Sequence, residues 1–256
     1  MKCIMFLIVL FWSLGLSAQK QKTILGIFPH PDDENIIGDV FAKYARLGHN
    51  VYIIIIGGAG KGGTRVTSIP AGDSLGTLRR QETICACEKL GVHPPIFLPI
   101  ENLNTSNGVR NYLNDHKKIL AELKKYIIEL KPDVLITFGP DGEYGHPDHI
   151  IAGATVTDLL LREGWVDKYP LYFPVEFKEE VTDAGDNSFV DKQYANASVS
   201  YLDEDEQKSF EAAKCYKTQY TPDEIKELIE KKSAEKRNTK YFRRVSVKKG
   251  MKKELF

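Results

Sequence analysis

The sequence predicts an α/β fold in which a mostly parallel sheet carries helices on both faces. From Thr23 onward short apolar runs alternate with amphipathic segments, the order that strand, crossover helix and next strand produce. Val51–Ile56 and Val134–Phe138 are continuously apolar, as expected of strands covered on both sides. Glycines or prolines stand where these elements should stop, such as Gly48, Gly91 and Pro132.

Taken in order, Thr23–Phe28 reads as the first strand and Asp32–Leu47 as a helix with Ile36, Ile37, Val40, Phe41 and Tyr44 on one face. Val51–Ile56 is the next strand. The glycine-rich stretch Gly57–Thr64 follows it, but its spacing fits neither the P-loop nor the dinucleotide fingerprint, so it reads as a loop at the carboxyl end of the sheet. Ser74–Leu90 and Tyr112–Leu130 are helices, Ile96–Leu98 a short strand and Glu101–Gly108 a loop. Val134–Phe138 is again a strand, Gly139–Gly145 a turn and His149–Arg162 a helix. Leu171–Phe177 and Ala197–Tyr201 read as strands around a loop at Glu179–Asn187. Asp203–Tyr216 is helical, and Thr221-Pro222-Asp223-Glu224 starts a further helix, with Thr at the cap and Pro in the first turn. The basic runs Lys231–Lys240 and Lys248–Lys253 read as solvated faces or tails.

The length, 256 residues with 42% hydrophobic, suits one domain over residues 19–256. Lys and Arg total 35, as do Asp and Glu, which gives no reason to expect nucleic acid or an anionic membrane as partner. Residues 1–18 stand apart: Lys2, an uncharged apolar run from Cys3 to Leu16, then Ser17-Ala18. The run is short for a spanning helix and matches a signal-peptide core, so the chain is expected to be exported (periplasmic, cell-envelope or secreted), with no membrane span after cleavage. Cys85, Cys87 and Cys215 remain. Cys85 and Cys87 point to different helix faces, and the three read as small buried hydrophobes and not as a disulfide framework.

Chemistry concentrates at Pro29-His30-Pro31-Asp32-Asp33-Glu34 and at His146-Pro147-Asp148-His149. Each follows an apolar strand, turns, and opens a helix with His-Pro-Asp. Pro suits the first helical position and Asp the positive end of the helix dipole. Ligand sites of open parallel sheets lie beyond the carboxyl ends of the strands, so the two stretches are expected to meet there. His30, Asp33 and His149 are assigned to a metal, since three protein ligands with an open position mark a catalytic zinc. Asp32, beside the ligands, is left to take a proton from an attacking water, with His146 and Tyr144 as donors toward an oxyanion or leaving group. Asp148 reads equally as a partner for a ligand imidazole or as an acid favoured by the dipole; Glu34 has no assigned role. Two His and a carboxylate also hold iron(II), and a sugar-binding protein with a structural metal would share the cluster.

The two motifs resemble the signatures of the PIG-L/LmbE family of zinc-dependent N-acetylglucosaminyl deacetylases. Leu78-Arg79-Arg80-Gln81-Glu82 is similar to that family's Arg-x-x-Glu helix, Asp141–Tyr144 to its loop before the second motif, and Tyr241-Phe242-Arg243 to its C-terminal end. The resemblance implies a Rossmann-like sheet and one zinc per chain on His30, Asp33 and His149. It also implies Asp32 as general base, His146 and Tyr144 at the tetrahedral intermediate, and Arg79 in contact with substrate. The chain departs at Lys217-Thr218-Gln219, where many members carry His-x-Ser-Gln, and around Glu101-Asn102, where an acid is often found. The expectation is an exported zinc hydrolase that removes an acetyl group from an N-acetylglucosamine-type sugar or related glycoconjugate. Its partner is a small-molecule or glycan substrate.

Overall fold

The computed structural model describes residues 20–57, 60, 63–100, 103, 109–179 and 189–254, the segment 109–115 by its backbone alone. The expected signal peptide at 1–18 lies outside the described residues, as do most of the expected loop at 101–108 and parts of those at 57–64 and 179–187.

Among the described residues seven strands form one sheet: β1 (Thr23–Phe28), β2 (Asn50–Ile55), β3 (Ile96–Phe97), β4 (Val134–Ile136), β5 (Leu171–Val175), β6 (Ala197–Ser200) and β7 (Thr239–Arg244). Their spatial order is β3-β2-β1-β4-β5-β7-β6. The first five run parallel, with Phe28 opposite Ile55 and Gly26 opposite Ile136; β7 is antiparallel to both β5 and β6. The helices are α1 (Gly38–Arg46), α2 (Asp73–Leu90), α3 (Val109–Leu130), α4 (Gly142–Gly145), α5 (Pro147–Arg162), α6 (Asp203–Ala213) and α7 (Pro222–Glu235). The α/β sheet with helices on both faces is as expected.

Successive strand residues point to opposite faces, which divides the core in two. Phe28, Ile53, Ile55 and Ile136 meet α1, α2 and α6, whereas Leu25, Ile27, Ile54 and Leu135 meet α3 and α5. Each such fully buried side chain contributes about 1.5–3 kcal/mol through its removal from water. The chain builds β1, β2 and β3 outward in one direction, then returns to place β4 and β5 on the other side of β1. The sheet therefore has a switch point between β1 and β4, the crevice where open α/β sheets bind ligands.

Four expectations are corrected. The helix expected at Asp32–Leu47 opens as a 3-10 turn at Asp33–Ile37 and becomes α-helical only at Gly38. The basic run Lys231–Lys240 divides between the end of α7, where Lys231 and Lys236 are solvated as expected, and the start of β7, so it is not a tail. Its Lys240 is drawn into the sheet because Tyr241 and Phe242 pair with β5 and β6. The helix expected to reach Tyr216 ends at Ala213. Lastly, Cys85 and Cys215 form a disulfide across 130 residues, joining α2 to the segment after α6; Cys87 is free and buried. Packing of α2 on α6 brings these two thiols together, and nothing in their local sequence marks it. No helix among the described residues is long and apolar enough to cross a membrane.

Candidate metal centre and its proton-handling shell

Both His-Pro-Asp turns lie at the switch point, at the carboxyl ends of neighbouring β1 and β4, and bring His30, His146 and His149 together with a nitrogen of each within 4.8 Å of the others. The second turn is regular. Pro147 occupies the first turn of α5, and the Nδ1 of His146 accepts the Asp148 backbone N–H at 3.1 Å. Burial, together with His30 and His149 nearby, lowers the His146 pKa. A neutral imidazole whose Nδ1 accepts carries its proton on Nε2, so His146 is oriented as a donor.

His149 lies one turn further along α5, 1% exposed, its ring stacked on Phe138 at 3.9 Å between centroids. The approach of α5 to β4 is close: a Cβ on Gly153 would stand 2.2 Å from the Phe138 carbonyl oxygen. The His149 nitrogens lie 3.2 Å from Asp33 Oδ1 and 3.5 Å from Glu143 Oε2, yet neither makes a hydrogen bond. A buried ring nitrogen left so costs about 1–3 kcal/mol, a deficit that a cation between His149 and Asp33 would remove.

The first turn is strained. Asp32 has φ 88°, in the left-handed region that a non-glycine residue enters at a cost of about 1–3 kcal/mol. The His30 backbone N–H donates to Asp33 Oδ2 at 2.7 Å, closing the turn. The His30 ring is held by Asp148 Oδ2 at 2.9 Å from Nε2 and faces Asp33 Oδ2 at 3.4 Å from Nδ1. Of the two readings of Asp148, the structure shows contact with a ligand-type imidazole. Burial opposes a charge on His30, but Asp33 and Asp148 outweigh it and push its pKa up to about 10. The acids that would hold a proton there suit a cation equally well. Asp33 is itself held far below the usual carboxylate range; burial works against this, and His30 and His149 prevail. The donor set thus fits a divalent ion such as zinc.

Asp32 contacts Arg79 (3.4 Å) and the Tyr220 hydroxyl, which donates to its Oδ2 at 3.3 Å. Burial first, then the charge of Asp33, raises its pKa to about 7 against the opposing effect of Arg79 and His30. Arg79 is 6% exposed and also donates to the Pro31 carbonyl at 3.1 Å. The Gln219 amide is satisfied only with its oxygen turned to Arg79, where it accepts from Nε at 2.9 Å. Arg79, which the resemblance puts on substrate, is thus in contact with Asp32, Pro31 and Gln219. The departure at Lys217-Thr218-Gln219 has a structural partner too: both Glu82 oxygens accept from Thr218, at 2.8 Å from N and 2.6 Å from Oγ1. Glu34 is fully buried, accepts from the Tyr216 hydroxyl, and has its pKa pushed up to about 8 by burial in spite of that bond.

Tyr144 stands at the rim, 52% exposed, edge-on to His146 and His149. Glu143 beside it was not among the expected site residues. Its φ of 68° is left-handed, and burial followed by Asp33 raises its pKa to about 7. Tyr216 and Tyr220 were missed as well; only the departure at Lys217-Thr218-Gln219 pointed to their segment. Glu101-Asn102 lies outside the described residues.

Fold and site together define an α/β protein with an imidazole and carboxylate cluster, suited to a divalent cation, at a sheet switch point. Residues 25–160 match the family model described as PIG-L, GlcNAc-PI de-N-acetylase, and the chain belongs to that family. A 1D-myo-inositol 2-acetamido-2-deoxy-alpha-D-glucopyranoside deacetylase from Catenulispora acidiphila is 34% identical over 152 residues, 53% of this chain and 50% of the relative. The chain spans about half the length of the curated relatives it matches. The N,N'-diacetylchitobiose deacetylase of Pyrococcus horikoshii superposes with TM-score 0.63 at 21% identity, over 88% of this chain and 84% of that one. The 4-carboxy-2-hydroxymuconate hydratase of Pseudomonas putida superposes with TM-score 0.60 at 14% identity, over 91% and 99%. The fold thus accommodates more than one reaction, and the site must decide between them.

Proposed function

We propose that this protein is an exported zinc-dependent deacetylase that hydrolyses the acetamide of an N-acetylglucosamine-type sugar or related glycoconjugate. The observation that carries the reading is Asp32: a carboxylate beside the cation cluster, outside its ligands, and held by Arg79 and Tyr220. His30, Asp33 and His149 would hold the zinc, because His146 spends its Nδ1 lone pair on Asp148 and keeps its proton on Nε2. Zinc bound there supplies Lewis acidity toward the acetyl carbonyl and makes water easier to deprotonate.

Asp32 accepts the proton of the attacking water and later returns it to the departing amine. His146 donates its Nε2 proton in a hydrogen bond to the developing oxyanion, and Tyr144 at the rim supplies a second donor. Arg79 keeps Asp32 aimed. The names of the curated relatives and of the chitobiose deacetylase, all deacetylases of acetamido sugars, support this reading. Export is supported by the apolar run before Ser17 and by the Cys85–Cys215 disulfide, a bond that persists in oxidising compartments.

The test is release of free amine from a panel of N-acetylated sugars by metal-analysed protein. Turnover that tracks zinc content supports the proposal; a zinc-loaded protein that binds these sugars without releasing amine would overturn it in favour of a binding protein.

A further inference from the structure

Between α6 and α7 the chain passes through turns from Lys214 to Thr221, and three contacts in succession join this strap to α2. Cys215 is bonded to Cys85. Thr218 donates to Glu82, from N at 2.8 Å and from Oγ1 at 2.6 Å, and the Gln219 amide oxygen accepts from Arg79 Nε at 2.9 Å. Cys85, Glu82 and Arg79 are spaced by three and so are neighbours along the helix surface, and the strap meets them in the reverse of chain order. One end of the strap is therefore covalent. At its other end Tyr220 and Arg79 hold Asp32, and in between Tyr216 donates to Glu34.

The cation ligands are held by other means. His30 is bonded to Asp148, and His149 stacks on Phe138. The packing of α2 on α6 has apolar contacts of its own, with Ala86, Leu90 and Ala212 fully buried in one core. Opening the sulfur–sulfur bond removes neither of these. It leaves the strap retained by hydrogen bonds alone, each of which can be exchanged for bonds to water. Cys85 is partly exposed, so an attacking thiolate can reach the bond without unfolding the sheet.

We propose that Cys85–Cys215 is a redox latch on Asp32: with the bond closed the strap aims Asp32, and with it open the protein keeps its cation and its fold but turns over slowly. The inference rests on the deacetylase reading and adds its regulation. The reductant is a dithiol, of a protein or a small molecule. Its first thiolate attacks one sulfur, forming a mixed disulfide and releasing the other cysteine as a thiolate; its second thiolate then displaces the remaining cysteine. Two electrons and two protons pass to Cys85 and Cys215, and the dithiol becomes a disulfide. A reducing compartment thus holds the chain idle, and oxidation starts it.

The full chain is reduced with dithiothreitol, freed of it without air, reloaded with zinc and analysed for zinc and for alkylated thiols. Amine release is then measured on N-acetylglucosamine and N,N'-diacetylchitobiose, and hydrogen exchange is followed on the same samples. Reduction of Cys85 and Cys215 should lower kcat by about tenfold or more at full zinc content, the effect of a misplaced catalytic group. Exchange should quicken at residues 214–221 and stay unchanged in α5. Oxidised glutathione should restore kcat, and Cys87→Ala should respond as the wild type does. Full kcat after reduction, a loss that follows zinc content or that oxidation does not restore, a response absent from Cys87→Ala, or a bond that resists reduction in the folded protein overturns the latch and leaves the deacetylase reading standing. Exchange that quickens in α5 as well also overturns it, since the bond then staples the whole fold. Turnover of neither sugar by the oxidised protein overturns the deacetylase reading instead. Faster exchange confined to 214–221 on reduction then supports the latch, and unchanged exchange overturns it.

Discussion

The two His-Pro-Asp turns share a local sequence pattern but are built differently. After β4 the strain falls earlier, at Glu143 (φ 68°), and the His-Pro-Asp turn itself is self-supporting: Pro147 and a capped backbone carry it into α5, and His149 is fixed by packing on Phe138. The turn after β1 is strained at Asp32, delays its helix to Gly38, and is braced by residues far away in the chain. Tyr216 reaches Glu34, Thr218 reaches Glu82, Gln219 reaches Arg79 and Tyr220 reaches Asp32, while the preceding Cys215 is bonded to Cys85. A metal ligand can be positioned by local helix geometry. On the proposed function, the group that stands beside the metal and moves protons takes an orientation the local backbone does not favour, and tertiary contacts hold it there.

Four variants test this contrast, beginning with the largest expected effect. Asp32→Asn should leave zinc content intact and lower turnover by about 10² or more, measured as amine release alongside metal analysis; near-normal rates would remove Asp32 from its role. Replacing Cys85 and Cys215 together by Ser should cost about 2–4 kcal/mol in chemical denaturation, since the bond closes a long loop. If the disulfide braces the first turn, kcat falls with it while zinc, held in part by the second turn, is retained. Gly153→Ala addresses the second turn: its Cβ would meet the Phe138 carbonyl oxygen, and a loss of about 1–3 kcal/mol with weakened zinc binding is expected. A stable variant with unchanged zinc affinity would show that His149 does not depend on that close approach.

The smallest effect concerns Asp205, which receives Arg46 through two hydrogen bonds of 2.8 Å and so ties α6, the helix leading to the bracing segment, to α1. Burial would raise the Asp205 pKa, but its bonds to Arg46 and to the Leu202 backbone hold it below the ordinary 3.8. The folded-state pKa is depressed, so the stabilisation is present above the unfolded value and is lost as pH falls below it. Wild-type stability should therefore decline more steeply than that of Asp205→Asn in denaturation series taken below about pH 4.

Most of the sheet was legible because its signals are local. The apolar runs at Thr23–Phe28 and Val51–Ile56, the stop at Gly91 and the cap at Thr221 each reflect neighbours a few residues apart, and each lies at or within a residue of where the structure places it. β7 was hidden because its Lys and Arg content resembles a tail, while its pairing partners lie in β5 and β6. In the site, both histidine turns were readable from the repeated His-Pro-Asp pattern. Glu143 was not, since its importance comes from burial beside His149, which residue identity does not disclose.

The sequence by itself determined the α/β alternation, the two turns at strand ends and the inventory of imidazoles and carboxylates, because propensity, periodicity and helix capping act over one or two turns of chain. Only the tertiary structure decided the division of work among them. The switch point put the turns side by side, Asp148 crossed to His30, and Tyr220 reached Asp32 over 188 residues. Such contacts are made by the sheet order and by the packing of α2 against α6, and they leave no mark in the residues on either side of them.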